Sequence, residues 1–204
     1  MNLHTIILTA GEGSRMNSDR AKSLQRIGGK SMLEMICKTA ASLDTKITLV
    51  VGFDKESIDR ESKSFNLDIS TIEQPKAIGT GDAVKCGLKN DHDESKTLIL
   101  YGDVPLIKRE TLQNLLEASE DGISILTTSL DDPYGYGRVK KDKHDNAIAI
   151  IEERDASENE KEIKEIFTGV LCSSTDILKQ AISKITNDNK AGEFYLTDIV
   201  SIMN

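Results

Sequence analysis

The sequence has no tryptophan, and phenylalanine and tyrosine together make up only 4% of it, so any core it builds is aliphatic. Cysteine is almost as scarce. Cys37, Cys86 and Cys172 are odd in number and far apart. No pair has the spacing of a zinc knuckle or a redox dithiol, which excludes a disulfide framework and predicts buried free thiols in a reducing compartment. There is no basic stripe: 26 lysines and arginines face 34 aspartates and glutamates, for a net charge of −8. A general nucleic-acid binder is therefore not expected, and the acidic excess reads as a solubility feature. No apolar run approaches the length of a membrane span, and no basic segment followed by an apolar one opens the chain. The expectation is a cytoplasmic protein with one α/β domain; the apolar content of 38% is below average but sufficient for a core.

The chain opens on an apolar run, Leu3 to Thr9, that reads as a buried strand. It leads into Ala10-Gly11-Glu12-Gly13-Ser14-Arg15-Met16, a loop of small residues, with Lys22 following seven residues after Arg15. Backbone N–H groups of such a loop can face a phosphate, and two cations stand ready for further phosphates. The pattern fits neither the Gly-x-x-x-x-Gly-Lys-Ser/Thr loop nor the dinucleotide Gly-x-Gly-x-x-Gly, since Met16 occupies the last glycine position. A tight strand-to-helix turn is the competing reading.

Downstream, strands are predicted at 47–51, 67–73, 97–101 and 123–128. Helices alternate with them at 31–42, 55–65, 82–88 and 106–119. This alternation implies a mostly parallel sheet with helices on both faces, in which ligands bind beyond the carboxyl ends of the strands. Thr9-Ala10-Gly11, Gln74 and Asp103 each follow a predicted strand and should gather on one edge. Beyond residue 130 the rhythm changes. Gly135 to Val139 and Ala147 to Glu152 read as antiparallel strands around a polar turn at 143–146, followed by a strand at 166–172 and helices at 176–185 and 195–203. The reading is a nucleotide-binding part over about 1–130 and a small antiparallel lobe over about 131–204.

Asp103, fixed at a strand end, suits a hard cation such as Mg²⁺, which prefers oxygen ligands; a helix N-cap is the alternative. The glycines of Gly79-Thr80-Gly81 permit close approach to a base or phosphate, and Thr80 as a helix cap is the alternative there. The Gln74 amide can pair with the edge of a base.

Taken together, Leu8 to Met16 with Lys22 resembles the motif of sugar-1-phosphate nucleotidyltransferases. Four later segments narrow the resemblance: Gly79 to Ala83, Leu100 to Leu106, Asp132 to Val139, and Ile151 to Ala156. Glu165 to Gly169 and Gly192 to Asp198 continue it. The chain resembles, over nearly its whole length, the N-terminal uridyltransferase domain of bifunctional N-acetylglucosamine-1-phosphate uridyltransferase/glucosamine-1-phosphate acetyltransferase. The resemblance implies a Rossmann-like nucleotidyltransferase fold and transfer of a uridylyl group from UTP to N-acetylglucosamine 1-phosphate with Mg²⁺. It further implies that Arg15 and Lys22 are catalytic, that Asp103 ligates the metal, and that Ala10, Gly11 and Gly13 hold the nucleotide. Gln74, Gly79 and Thr80 would surround uracil, and Tyr101, Gly137 and Glu152 would line the sugar pocket.

Three departures qualify the resemblance. Phe167 stands where the family places an asparagine against the sugar, which puts a ring in or beside that pocket and opens the alternative of another sugar 1-phosphate. Ala21 replaces a proline before Lys22, which loosens that loop. The family's second metal ligand, an asparagine, lies beyond Asn204, and the hexapeptide-repeat acetyltransferase domain has no counterpart in the sequence. The resemblance then implies weaker Mg²⁺ binding, with a catalytically weak nucleotide-binding domain as a further alternative, and a monomer in the absence of the trimerising domain.

Overall fold

The computed structural model describes residues 2–11, 20–90, 95–119 and 122–204. The first strand, β1 (Leu3–Leu8), is buried along its whole length. A 3₁₀ turn at Lys22–Leu24 and a ribbon of β2 (Arg26–Ile27) and β3 (Lys30–Ser31) lead into α1 (Met32–Ala41). The ribbon is absent from the sequence reading, which left this stretch as loop. Gly28 and Gly29 supply it, since both take positive φ (58° and 87°) as a two-residue hairpin turn demands. Ser31 caps α1 by accepting the Glu34 amide at 3.1 Å.

Then follow β4 (Lys46–Val51), α2 (Lys55–Lys63), β5 (Ile69–Glu73), α3 (Thr80–Gly87), β6 (Lys96–Tyr101), α4 (Arg109–Ala118) and β7 (Ile123–Ser129). The last third comprises β8 (Arg138–Lys141), β9 (Ala147–Ile151), α5 (Glu158–Lys161), β10 (Glu165–Ser174), α6 (Thr175–Ile182) and α7 (Asp198–Met203).

The main sheet has the order β5-β4-β1-β6-β10-β8-β9, with β7 also paired to β10. Its β5-β4-β1-β6 half is parallel. Strand β10 runs antiparallel to β6, β7 and β8, and β8 to β9. The strand expected at 123–128 therefore sits outside the parallel half, because its partner is β10.

Alternation along the strands divides the core between the two faces of the sheet. Ile7, Leu49, Val51, Leu98 and Leu100 pack with α1, α2 and α4, whereas Ile6, Leu8, Val50 and Ile99 pack with α3, α6 and α7. All three cysteines are buried free thiols, and among the described residues no helix is long and apolar enough to cross a membrane.

Two helix starts differ from expectation. Helix α4 begins at Arg109 instead of near Leu106, whose side chain is 74% exposed and has nothing to bury. Helix α7 begins at Asp198 instead of Tyr195. The residues before it are held in extended pairing: the Phe194 amide donates to the Ile78 carbonyl and the Gly81 amide to the Phe194 carbonyl, both at 2.8 Å.

Candidate active site

Beyond the carboxyl ends of β1, β5 and β6 lies a cavity of about 570 Å³. Ala10, Gly11, Lys22, Gln74, Gly79, Thr80, Tyr101 and Asp103 line it, so eight of the residues singled out in the sequence meet at one place. Leu8, Thr9, Ser23, Ala77, Ala83, Gly102 and Glu193 complete the wall. Of these seven, Thr9 was expected at this edge, Leu8, Ala83, Gly102 and Glu193 stood only within motif segments, and Ser23 and Ala77 were not singled out. For Glu193 the signal was the Gly192 to Asp198 segment, already conspicuous as a block. Gly13 and Arg15 lie outside the described residues.

Each wall residue has a structural reason for its place. The β1 ladder extends past the strand: the Thr9 amide and hydroxyl both donate to the Val50 carbonyl, at 2.9 and 2.7 Å. Opposite, the Gly102 amide donates to the Leu8 carbonyl at 3.0 Å. Asp54, in the left-handed region at φ 56°, accepts the Ala21 amide at 3.0 Å and so anchors the turn that carries Lys22.

Lys22 Nζ lies 2.5 Å from Asp103 Oδ2, with the two side chains 39% and 28% exposed. The N-cap reading of Asp103 is set aside, because the next helix starts six residues later with Lys108 at its cap. What remains is a carboxylate in the turn just after β6, paired with Lys22. Among the described residues no group of three His, Cys, Asp or Glu side chains converges as a metal cage. A single oxygen donor fits a hard cation that keeps its waters and is otherwise held by substrate phosphates.

The cap reading of Thr80 also fails. Gly79 occupies the N-cap, while Thr80 Oγ1 accepts the Leu196 amide at 3.0 Å. Burial pushes the Tyr101 phenol well above its ordinary value. Its ring lies against Gly169, where a Cβ would fall 2.8 Å from a ring carbon.

Gly137, Glu152 and Phe167 are not part of the cavity wall. Gly137 is close to Glu152, and a Cβ on it would come 3.8 Å from each carboxylate oxygen. Glu152 accepts the Thr197 hydroxyl at 2.9 Å. Burial raises its carboxyl pKa, Thr197 opposes the rise, and the nearby charges of Asp198, Asp155 and Glu193 add to it. Phe167 is 6% exposed within the apolar cluster of α3, α6 and α7, and its amide donates to the Gly137 carbonyl at 2.9 Å. The ring expected in or beside a sugar pocket is thus core.

This arrangement, the Lys22 ammonium paired with the Asp103 carboxylate beside a glycine-rich helix start, agrees with what comparison shows. Residues 5–169 match the family described as MobA-like NTP transferase domain. The chain belongs to that family. Relatives include the bifunctional protein GlmU of Psychrobacter sp. (strain PRwf-1), 42% identical over 98% of this chain and 44% of the relative. That of Neisseria gonorrhoeae is 44% identical over 98% of this chain and 43% of the relative. The chain thus spans less than half the length of these relatives. Its fold is that of UDP-glucose pyrophosphorylase complexed with UDP-glucose, with a TM-score of 0.81 at 15% identity, covering 100% of this chain and 87% of that one. This NTP transferase domain therefore carries its strand-end cavity on a nucleotidyltransferase scaffold.

Proposed function

We propose that this domain transfers a uridylyl group from UTP to N-acetylglucosamine 1-phosphate, releasing pyrophosphate and forming UDP-N-acetylglucosamine. The observation that carries the reading is the meeting of Lys22, Asp103, Gln74 and the Gly79-Thr80 turn around one cavity, in a family member related to GlmU along nearly its whole length.

In the reaction a phosphate oxygen of the sugar phosphate attacks the α-phosphorus of UTP, a P–O bond forms there, and the bond to pyrophosphate breaks. Both reactants are anions, so the protein's task is positioning and neutralisation of charge. Lys22 leaves Asp103 to meet the α-phosphate and the incoming phosphate, and Arg15 steadies the departing β- and γ-phosphates. Ala10, Gly11 and Gly13 hold the nucleotide by backbone groups. Asp103 would hold Mg²⁺, which would supply positive charge to the phosphates. Gln74, Gly79 and Thr80 surround the uracil. Tyr101 faces the sugar from the cavity wall, and Gly137 and Glu152, which lie outside that wall, would contact only a part of the sugar that extends beyond it, with Glu152 kept in place by Thr197.

A second reading, a different sugar 1-phosphate, draws on the withdrawal of Phe167 into the core, which leaves that position without a polar contact to an acetamido group. Pyrophosphate release measured over a panel of sugar 1-phosphates with UTP separates the two. The expected result is turnover highest with N-acetylglucosamine 1-phosphate and reduced by about a hundredfold or more in Lys22→Met and Asp103→Asn at unchanged circular dichroism. No turnover with any sugar phosphate refutes both; a preference for another sugar selects the second.

A further inference from the structure

Gln74 is 6% exposed, and its amide nitrogen stands between two acceptors, 3.0 Å from the Gly79 carbonyl and 2.9 Å from Asp82 Oδ2. Neither neighbour can donate. An amide oxygen in that place would oppose lone pairs on both sides, so chemistry fixes the sense of the amide: NH₂ toward Gly79 and Asp82, Oε1 away from them. Among the described residues Oε1 accepts no hydrogen bond, yet it is not shut off from solvent, and the side chain that bears it lines the cavity. The wall therefore presents a fixed acceptor and no donor at this point.

We propose that Asp82, by holding the Gln74 amide in this sense, is a specificity-determining positioning residue that makes the site choose uracil over cytosine. The inference rests on the reading of the cavity as a pyrimidine nucleotide site. Uracil presents an N3–H donor between two carbonyls, which matches a lone acceptor. Cytosine presents a bare N3 acceptor, which opposes it, and an unpaired polar group in such a site is heavily disfavoured. The two partners of the Gln74 amide differ in their freedom. The Gly79 carbonyl belongs to a backbone wedged against Phe194 and also takes the Ala83 amide at 3.2 Å. Asp82, in the first turn of α3, is the side chain whose loss would let the amide turn over.

Equilibrium binding of UTP and CTP, measured by calorimetry for the unaltered protein, Asp82→Ala and Asp82→Asn, tests this. UTP is expected to bind at least about thirtyfold more tightly than CTP in the unaltered protein. In Asp82→Ala the ratio of the two affinities is expected to fall about tenfold, through weaker UTP and unchanged or tighter CTP binding. Asp82→Asn can present either an oxygen acceptor or an NH₂ donor to Gln74, so it no longer fixes the sense of that amide, and the ratio should fall by at least about threefold. A general distortion of the pocket would weaken both nucleotides together and leave the ratio alone, so an unchanged ratio in Asp82→Ala overturns the proposal. Equal affinities in the unaltered protein, or an unchanged ratio in Asp82→Asn, overturn it too. Because the readout is binding, a preference for UTP without pyrophosphate release would refute uridylyl transfer while leaving the role of Asp82 standing.

Discussion

Replacing Gly79 by alanine would test whether the nucleotide turn is held by the segment before α7. Gly79 has φ +126°, and a Cβ there would lie 2.3 Å from the Phe194 carbonyl oxygen, 2.5 Å from its nitrogen and 2.8 Å from its carbonyl carbon. All three are backbone atoms, and ordinary carbon contacts begin near 3.5 Å, so one segment must move by about 1 Å. The movement breaks the two 2.8 Å hydrogen bonds that pair Phe194 with Ile78 and Gly81, together worth about 2 kcal/mol. A positive-φ extended backbone that glycine alone adopts readily adds about 1–3 kcal/mol, and the smaller entropy of the unfolded alanine chain returns about 0.4–1 kcal/mol. The net loss is about 3 kcal/mol, a large share of a typical domain's stability.

Gly192 is the control. It has φ +68° but nothing within 4 Å of the added carbon, so Gly192→Ala should cost about 1 kcal/mol or less. With no tryptophan to report unfolding, thermal unfolding followed by far-ultraviolet circular dichroism is the suitable assay. The expected fall in melting temperature is about 6–12 °C for Gly79→Ala and about 2–4 °C for Gly192→Ala. Equal stabilities for the two variants would refute the wedge between Gly79 and Phe194.

Two further outcomes are expected. Burial raises the Glu152 carboxyl above its ordinary value, so the folded state binds that proton more tightly than the unfolded state, and stability from this group falls as pH rises through the raised value. Glu152→Gln should therefore gain melting temperature over the unaltered protein at neutral pH, with the gain vanishing towards about pH 4; a pH-independent difference would refute the assignment. Burial pushes the Cys37 thiol up to about 12 and raises those of Cys86 and Cys172, so a thiol reagent at neutral pH should label none of them until denaturant is added, and labelling of the native protein would show the core to be more open.

Strands β1 and β6 were readable in the sequence because they are buried on both faces and appear as largely aliphatic runs, as in Leu98-Ile99-Leu100, whereas β5, half-exposed at the sheet edge, showed only as an alternation. Their ends followed from the same patterns, which is why Ala10, Gln74 and Asp103 could be placed on one edge. The contact of Thr80 with Leu196 could not be foreseen, since it joins residues 116 positions apart and leaves no periodic trace. The same holds for the pairing of Lys22 with Asp103, two residues whose types also fit separate phosphate and metal roles. Helicity was extended back to Tyr195 because residues 195–203 carry a helical period, yet Phe194 and its neighbours gain more from backbone pairing with Ile78 and Gly81. Phe167 misled for a related reason: alternation places it on a strand, but only β10's position between β6 and β8 decides that its face is core.

The seat of β10 between β6 and β8 also sets the order in which the molecule can be completed during synthesis. At the ribosome, β6 emerges early, and its free edge has no partner until residues 165–174 follow. At usual elongation rates that wait is on the order of several seconds, during which an aliphatic strand edge stands open to other chains. β7, whose hydrogen-bonded neighbour is also β10, waits beside it. The nascent chain thus depends on whatever shields that edge, and substitutions that weaken β10 should lower the yield of folded protein more than they lower the stability of molecules that have already formed.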